Sequence, residues 1–472
     1  MIEQLYCNQI LSKYGKIREL ENDLILLSSN TFAHSYNIKE RLDLTNIECY
    51  TIDPEGCTDA DDAFSIYYIN EKIYLAIHIA DPTEYINIKS ELWNNIKERV
   101  ITHYPSNHSP IHMLPDKIIQ KSSLIDNDAG NIKNSISIIS EICTSTYLPI
   151  HNVNIYFTKI KVDKKNNHSY SSACQLFIES EKNTIFNIGF NIAEAMLNFR
   201  KTPGKKINSI PVSTIKYSSN IPYLEKDTMI IFKMKQMIAE FAIFANSFVG
   251  HYLKFHLQGT GIFRTCDTNG WINQIDEKSS GCEILRQIVD NGIAASYLST
   301  IKPHDLVGMP VYCHFTSPIR RLTDCVCHYL LKYIHLKNVG KKINIPFTSD
   351  ELYMIANKCD IVGKRERKIS FEDNKFRIMQ LLYYICDMSS SCDVTFRYVS
   401  YTGLFLNFII TKINTHNVSV SYVLRIKNYP YQYFWEKNPY KTINIKKVFP
   451  LYKYDGGKLP DFEQFVQNLV MI

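Results

Sequence analysis

The period of hydrophobic and polar positions changes several times along this chain, and each change marks an element. Leu5, Ile10, Leu11, Tyr14, Ile17 and Leu20 recur at helical spacing, so residues 1–41 read as a short helical start and a polar connector. Ile47–Ile52, Phe64–Ile69 and Ile73–Ile79 are short runs rich in Ile, Tyr and Phe, the composition of buried strands. The third run leads to Asp81-Pro82, where proline ends strand pairing and a polar turn is expected. Between Met234 and Leu257, the residues Met234, Met237, Ile238, Phe241, Ala245, Phe248, Val249 and Tyr252 form one helical stripe, with Glu240 and Asn246 its polar exceptions. Lys364–Lys368 is the charged face of a helix that continues through Glu372 to Tyr384. Beyond Ser391 the period falls to two, with Val394, Phe396 and Tyr398, then Leu404, Leu406 and Phe408. Gly403 inside that run marks a bulge or turn between curved strands, as in a small barrel. The fold class is therefore α+β, with a composition shift near Ser389–Ser391 separating a large first domain from a small β-rich one.

Composition narrows the picture a little. A hydrophobic fraction of 45% and a charged fraction of 21% over 472 residues are those of a folded chain, with room for roughly two to four domains. A net charge of +6 permits an anionic partner without demanding one. The thirteen cysteines form no C-x-x-C pair, which favours reduced, buried thiols in a cytoplasmic (or nuclear) compartment over a disulfide frame or zinc site. Met1–Leu27 mixes charges through its apolar positions, and no apolar run reaches membrane-spanning length, so neither a signal peptide nor a membrane partner is expected.

The chemistry concentrates in two stretches. Thr51–Ser65 places Asp53, Asp59, Asp61 and Asp62 within ten residues, between apolar strands and with Pro54 and Gly56 shaping the loop. Converging carboxylates repel by about 1 kcal/mol per pair at 4 Å even in water, and more in a cleft. They relieve this by taking up protons or by binding a cation, and all-oxygen donors suit Mg²⁺ or Mn²⁺. A solvated acidic turn would be the better reading for two aspartates; four at this spacing favour the cation site. The second stretch runs from Tyr312 to His328, with Thr316 or Ser317 placed to cap a helix whose first turn holds Pro318. Arg320 and Arg321 would then sit at the positive end of that helix, suited to phosphate. An arginine pair in a local ion network with Asp324 explains the same residues equally well.

Other polar clusters carry less. His78 lies in an apolar strand and reads as a satisfied core histidine, and the prolines around His103, His108 and His112 argue against zinc. Lys159, Lys161, Lys164 and Lys165 near Tyr170, and Arg200, Lys201, Lys205 and Lys206, read first as solvated faces and second as a nucleic-acid path.

Together the aspartate loop and the segment His314-Phe-Thr-Ser-Pro-Ile-Arg-Arg321 resemble the ribonuclease II family of 3′→5′ exoribonucleases, the RNB-domain proteins. The Asp-Pro-Glu-Gly-Cys-Thr-Asp form is closer to the family's eukaryotic exosome-nuclease branch. His78–Asp81, Met113–Pro115, Glu240–Asn246, Phe263-Arg264 and His304 also fit, so the resemblance extends from about Leu42 to Asp387. It implies an RNB catalytic domain over 42–388, after a short extension over 1–41. The implied activity is metal-dependent hydrolysis of single-stranded RNA from its 3′ end to 5′-mononucleotides, with two Mg²⁺ (or Mn²⁺) ions roughly 3.5–4 Å apart. Carried over residue by residue, Asp53, Asp59 and Asp61 become the principal metal ligands, and Asp62 completes the site or holds the terminal ribose. Arg320 becomes the phosphate clamp with Arg321 beside it, Glu372 lies near the 3′-terminal nucleotide, and Tyr170 and Tyr104 stack on bases.

The chain also departs from the family pattern. Family members usually carry two cold-shock barrels before the catalytic domain, and 41 residues hold neither. A protein partner is expected to replace that RNA clamp, the chain being otherwise a monomer. Leu322 stands where an aromatic is usual, and Tyr329 where arginine is common. Val394–Phe408 resembles the start of the family's closing OB-type RNA-binding domain, here 389–472, with Phe405 on its RNA face and the remainder through Phe434 and Asp461 divergent. These departures keep a second reading open, a catalytically inactive RNB-fold protein that binds RNA or a partner as a regulator.

Overall fold

The computed structural model describes residues 20–105, 108–150, 153–179, 184–200, 213–218, 221–275, 288, 292–389, 391–402, 405–425 and 440–445. The first strands in chain order are β1 (Leu42–Asp43), β2 (Thr51–Asp53), β3 (Asp62–Ile69), β4 (Lys72–Ala80), β5 (Ile132–Ile142), β6 (Asn154–Lys161) and β7 (Asn167–Ser169). Five of them form the central sheet in the order β1-β6-β5-β4-β3, antiparallel except for the β1–β6 pair. β2 leaves that sheet and pairs in parallel with β7. The β3–β4 connection is a two-residue hairpin turn with Asn70 and Glu71 both at positive φ, the conformation that matches strand twist. The expected strand over Ile47–Ile52 shrinks to β2, because Asp43 caps Thr45 and Ile47 donates to the Leu44 carbonyl, turning the chain first.

One face of the sheet is apolar, with Ile73, Leu75, Ile77 and Ile79 buried. The other face carries a buried polar ladder. His78 contacts Ser65 Oγ at 3.0 Å and Ser137 Oγ at 2.7 Å, while Thr158 Oγ1 lies 2.6 Å from both Ser135 Oγ and Ser137 Oγ. His78 is thus the satisfied core histidine that its setting implies, and burial lowers its pKa to about 3.

The long helix Met229–His256 buries Met234, Met237, Phe241, Ala245, Val249 and Leu253, the expected stripe. Its first polar exception, Glu240, forms a buried ion pair with Arg200, which also donates to the Val307 carbonyl at 2.6 Å. Arg200 is therefore no solvated cation; Lys201, Lys205 and Lys206 lie outside the described residues. Gly250 lets this helix approach the Val311–Cys313 segment closely: a Cβ there would stand 3.2 Å from Val311 Cγ1 and 3.4 Å from Cys313 N. Further helices span Leu322–Asn338 and Ser349–Ser389, the second including the charged run at Lys364–Lys368. Among the described residues no helix is long and apolar enough to cross a membrane.

Smaller strand pairs are β8 (Thr214–Ser218) with β9 (Ile221–Glu225) and β10 (Phe263–Thr265) with β11 (Ser296–Leu298). β12 (Cys392–Thr402), β13 (Phe405–Ile413), β14 (His416–Arg425) and β15 (Tyr440–Ile445) form an antiparallel sheet ordered β14-β13-β12-β15, with irregular register after Thr395 and after Tyr398. Gly403, Leu404, Phe434 and Asp461 lie outside the described residues, as does the Phe405 side chain.

A closed ion network fastens the segment before β1 to the core. Arg41 Nη2 lies 2.6 Å from Asp81 Oδ2 and 2.7 Å from Glu84 Oε2, and Lys332 Nζ lies 3.1 and 2.8 Å from the same two oxygens. Two cations meet two carboxylates, and all but Glu84 are dry. Removing one partner leaves a buried charge uncompensated, so Lys332→Met is expected to lower unfolding free energy by about 3–5 kcal/mol. Urea unfolding measures this, and a loss under about 1 kcal/mol would contradict the network's role.

Candidate active site

The aspartate loop is pinned at both ends. β2 delivers Asp53 and β3 begins at Asp62, while backbone bonds join Tyr50 to Phe64 at 2.8 and 2.9 Å. Within the loop, Ala80 N–H donates to the Asp61 carbonyl at 2.8 Å and Leu124 N–H to the Ala60 carbonyl at 3.0 Å. Gly56 takes the left-handed turn, at φ 76°.

Asp61 reaches the second chemical stretch, 258 residues away. Its Oδ1 accepts the Ile319 N–H at 2.8 Å and its Oδ2 accepts Arg320 Nε at 3.2 Å. Arg320 Nη2 donates to Ser317 Oγ at 2.9 Å, yet the guanidinium side chain stays 44% exposed, open to a ligand. Asp59 accepts the Tyr104 hydroxyl at 2.7 Å and the Cys57 thiol at 3.5 Å, with His112 Nδ1 3.8 Å from its Oδ2. These residues line a cavity of about 1180 Å³ together with Asp53, Asp62 and Tyr170. All four aspartates, Arg320 and both tyrosines are thus brought together. Arg321 is not, because its Nη2 donates to Asp324 at 2.9 Å. The backbone of Glu372 lies in the helix Ser349–Ser389, with its side chain outside the described residues.

The helix after the arginines begins at Leu322, several residues beyond the expected cap at Thr316 or Ser317. The backbone is spent elsewhere: Ser317 N–H donates to Asp324 at 2.8 Å, Ile319 N–H to Asp61, and Leu322 N–H to the Val100 carbonyl at 2.9 Å. Both arginines therefore precede the helix. The local ion network is the right description of Arg321, whereas Arg320 faces the aspartates. Asn246 was legible only as a polar interruption of an apolar stripe. It orients this segment, accepting from Phe315 N–H at 2.8 Å and donating to the Tyr312 hydroxyl at 3.0 Å.

Burial raises the pKa of Asp61 too, but Asp53 and Asp62 differ from it in their donors. No arginine, lysine or backbone N–H of the described residues donates to either carboxylate. Burial raises both, and the Asp62 charge raises Asp53 further, to about 7 for Asp53 and about 6 for Asp62. The Cys57 side chain does hydrogen-bond to Asp53, but desolvated carboxylates without a cationic or backbone donor fit a hard divalent cation. Among the described residues no three His, Cys, Asp or Glu side chains are arranged to hold a metal by themselves. Asp61, expected among the principal ligands, differs in having both oxygens taken by Ile319 and Arg320. Tyr170 lines the cavity, with Lys235 Nζ 5.6 Å from its ring centroid. His103 turns to Glu366 at 2.5 Å, so the three loop histidines go to separate partners.

The RNB domain family model matches residues 41–337. Ribonuclease R of Helicobacter pylori (strain ATCC 700392 / 26695) is 24% identical over 366 residues, covering 69% of this chain and 54% of that protein. The chain therefore spans about half the length of that curated relative. Mycoplasma genitalium RNase R, solved in complex with ribose methylated single-stranded RNA, superposes with a TM-score of 0.69 at 19% identity, covering 89% of this chain and 69% of that one. Yeast Ssd1, described as a pseudonuclease, superposes at 0.63 with 14% identity, covering 82% of this chain and 51% of its own.

The raised carboxylates carry a definite pH dependence. A folded-state pKa above that of an exposed aspartate gives stability that is fully present below about pH 4 and lost as pH rises through the folded values near 6 and 7. In chelator, the wild-type thermal midpoint is expected to fall more between about pH 5 and 8 than that of Asp62→Asn, which lacks the repelling charge. Parallel melting curves for the two proteins would show that Asp53 and Asp62 do not repel each other.

Proposed function

This chain belongs to the RNB domain family, and from that premise we propose that it is a metal-dependent 3′→5′ exoribonuclease that shortens single-stranded RNA to 5′-mononucleotides. The observation that carries the reading is the meeting of four aspartates and a half-exposed Arg320 in one cavity. In the reaction a water oxygen bonds to the last phosphorus, and the bond from that phosphorus to the preceding nucleotide's 3′-oxygen breaks. Bound Mg²⁺ or Mn²⁺ would supply charge stabilisation and a water of lowered pKa.

The chain's own residues supply position. Asp53 and Asp62, to which no arginine, lysine or backbone N–H of the described residues donates, would hold the cation with Asp59. Asp61 fixes Nε of Arg320 and Ser317 its Nη2, leaving the remaining N–H groups to grip the phosphate. Tyr104, anchored through its hydroxyl to Asp59, presents a 47% exposed ring at the rim, and Tyr170 lines the same cavity. Such rings stack on bases without reading sequence, at roughly 1–3 kcal/mol per base. A second reading, an RNA-binding protein without cleavage, draws on the engagement of both Asp61 oxygens by protein donors and on the likeness to the pseudonuclease fold.

A time course on 5′-labelled single-stranded RNA with Mg²⁺ separates the two. The expected outcome is a ladder shortening from the 3′ end with mononucleotide product, blocked by a modified 3′ terminus. Asp61→Asn, which releases Arg320 from its tether, is expected to slow the reaction by ~10²-fold or more. RNA that stays intact and shifts on a native gel regardless of Mg²⁺ would establish the non-cleaving reading instead.

A further inference from the structure

Arg321 belongs to a second group of side chains that the reaction above does not use. The Arg264 guanidinium lies over the Tyr297 ring, Cζ 4.5 Å from its centroid, and the Tyr297 hydroxyl lies 2.6 Å from His314 Nδ1. Arg264 is half-buried, yet no oxygen of the described residues accepts a hydrogen bond from its guanidinium. The neighbouring carboxylates are already engaged: Asp324 accepts from Ser317 N–H and Arg321 Nη2, and Asp360 pairs with Lys364 at 2.7 Å. The buried Nε of Arg321 also lacks an acceptor. Burial lowers the pKa of Arg264, and Arg367 and Arg321 push it the same way. Burial likewise holds His314 well below its usual range, so it stays neutral and leaves the positive charge to the arginines.

Two guanidiniums with unused N–H groups, one of them set over an aromatic ring, present the forked donor geometry that matches phosphate. A phosphate monoester is close to doubly charged at neutral pH, whereas a diester in the strand carries one charge. We infer that Arg264 and Arg321 form a phosphate-monoester site beside the catalytic arginine, which receives the 5′-phosphate of the released nucleotide. The identity of the ligand rests on the exoribonuclease reading; the site itself rests on the unpaired guanidinium. Among the described residues Arg264 has no acceptor to lose, so its removal relieves repulsion from Arg367 and Arg321 in the empty protein. This distinguishes a ligand-binding role from a structural one.

The test titrates uridine 5′-monophosphate, inorganic phosphate, uridine and a 5′-hydroxyl oligouridylate into chelator-treated wild type, Arg264→Met and Arg264→Lys by calorimetry, with thermal melts of each. Methionine keeps the apolar stem over Tyr297 and removes the charge. The monophosphate and phosphate are expected to bind and uridine to fail. Arg264→Met should weaken monophosphate binding by roughly tenfold or more while melting at or above wild type without ligand, and Arg264→Lys should retain part of the affinity. A lower melting point with unchanged monophosphate affinity makes Arg264 a packing residue and overturns the inference. So does uridine binding as tightly as its monophosphate, or an oligouridylate weakened as much as the monophosphate. Should Arg264→Met fail to fold, unchanged affinity in Arg264→Lys overturns the site and weakened affinity supports it. Intact RNA with the monophosphate bound would defeat the nuclease reading alone, and degraded RNA with indifferent Arg264 variants would defeat the phosphate site alone.

Discussion

A single carboxylate holds the two chemical stretches of this chain together. Asp61 is 4% exposed and receives a backbone N–H and a guanidinium N–H from a segment far away in sequence. A buried carboxylate is tolerable only with such donors, so the loop and the arginine segment are each the other's condition for folding locally as they do. The Ile319 N–H given to Asp61 is lost to any helix, and Asp324 takes the Ser317 N–H in the same way. The segment therefore runs irregularly up to Arg321, and the helix starts only at Leu322. This irregularity leaves the Arg320 guanidinium half in the cavity instead of packed along a helix surface.

The ionisable groups around this joint fall into two classes. Asp81 and Glu84 are matched by Arg41 and Lys332, and Glu240 is matched by Arg200. Those groups are compensated within the protein and have no capacity left for a ligand. Asp53 and Asp62 on one side, and Arg264 on the other, are the uncompensated remainder. Burial makes each of them unfavourable in isolation, and each therefore has affinity for an ion of opposite sign. The binding capacity of the site thus follows from which charges the fold leaves unmatched, more than from which charges it contains.

Much of this was legible from spacing. The paired strands β3 and β4, the long helix around Met234–Leu257, and the core setting of His78 follow from hydrophobic period alone. The clustering of four aspartates and the Ser-Pro-Ile-Arg-Arg segment mark in the sequence the residues that the fold brings to one cavity. Spacing could not say which backbone N–H would be donated to a distant acceptor, and that is why the helix start was placed too early. It also could not separate a solvated cation from a buried one. Arg200 sits in a basic run, and only the fold brings it to Glu240, whose intrusion into an apolar stripe was the one signal of a hidden partner. The same blindness to long-range pairing made Asp61 look like its three neighbours, although it alone of the four accepts from the distant Ile319 N–H and Arg320 guanidinium.

The adjacent arginines show how one peptide can serve two surroundings. Arg321 has extended backbone, at φ −138° and ψ 129°, and is bridged to Ile101, which directs its side chain away from the cavity that Arg320 lines. Asp61 then restrains one guanidinium and Asp324 the other. Because both carboxylates are buried, neither arginine can exchange partners without leaving a charge unpaired. The two cations are thereby held on separate faces of a single turn, one beside the aspartate cluster and one beside Arg264. A phosphorus that enters as a diester on the first face and gains a charge on cleavage would meet stronger attraction on the second, so the division of the pair gives the site a direction.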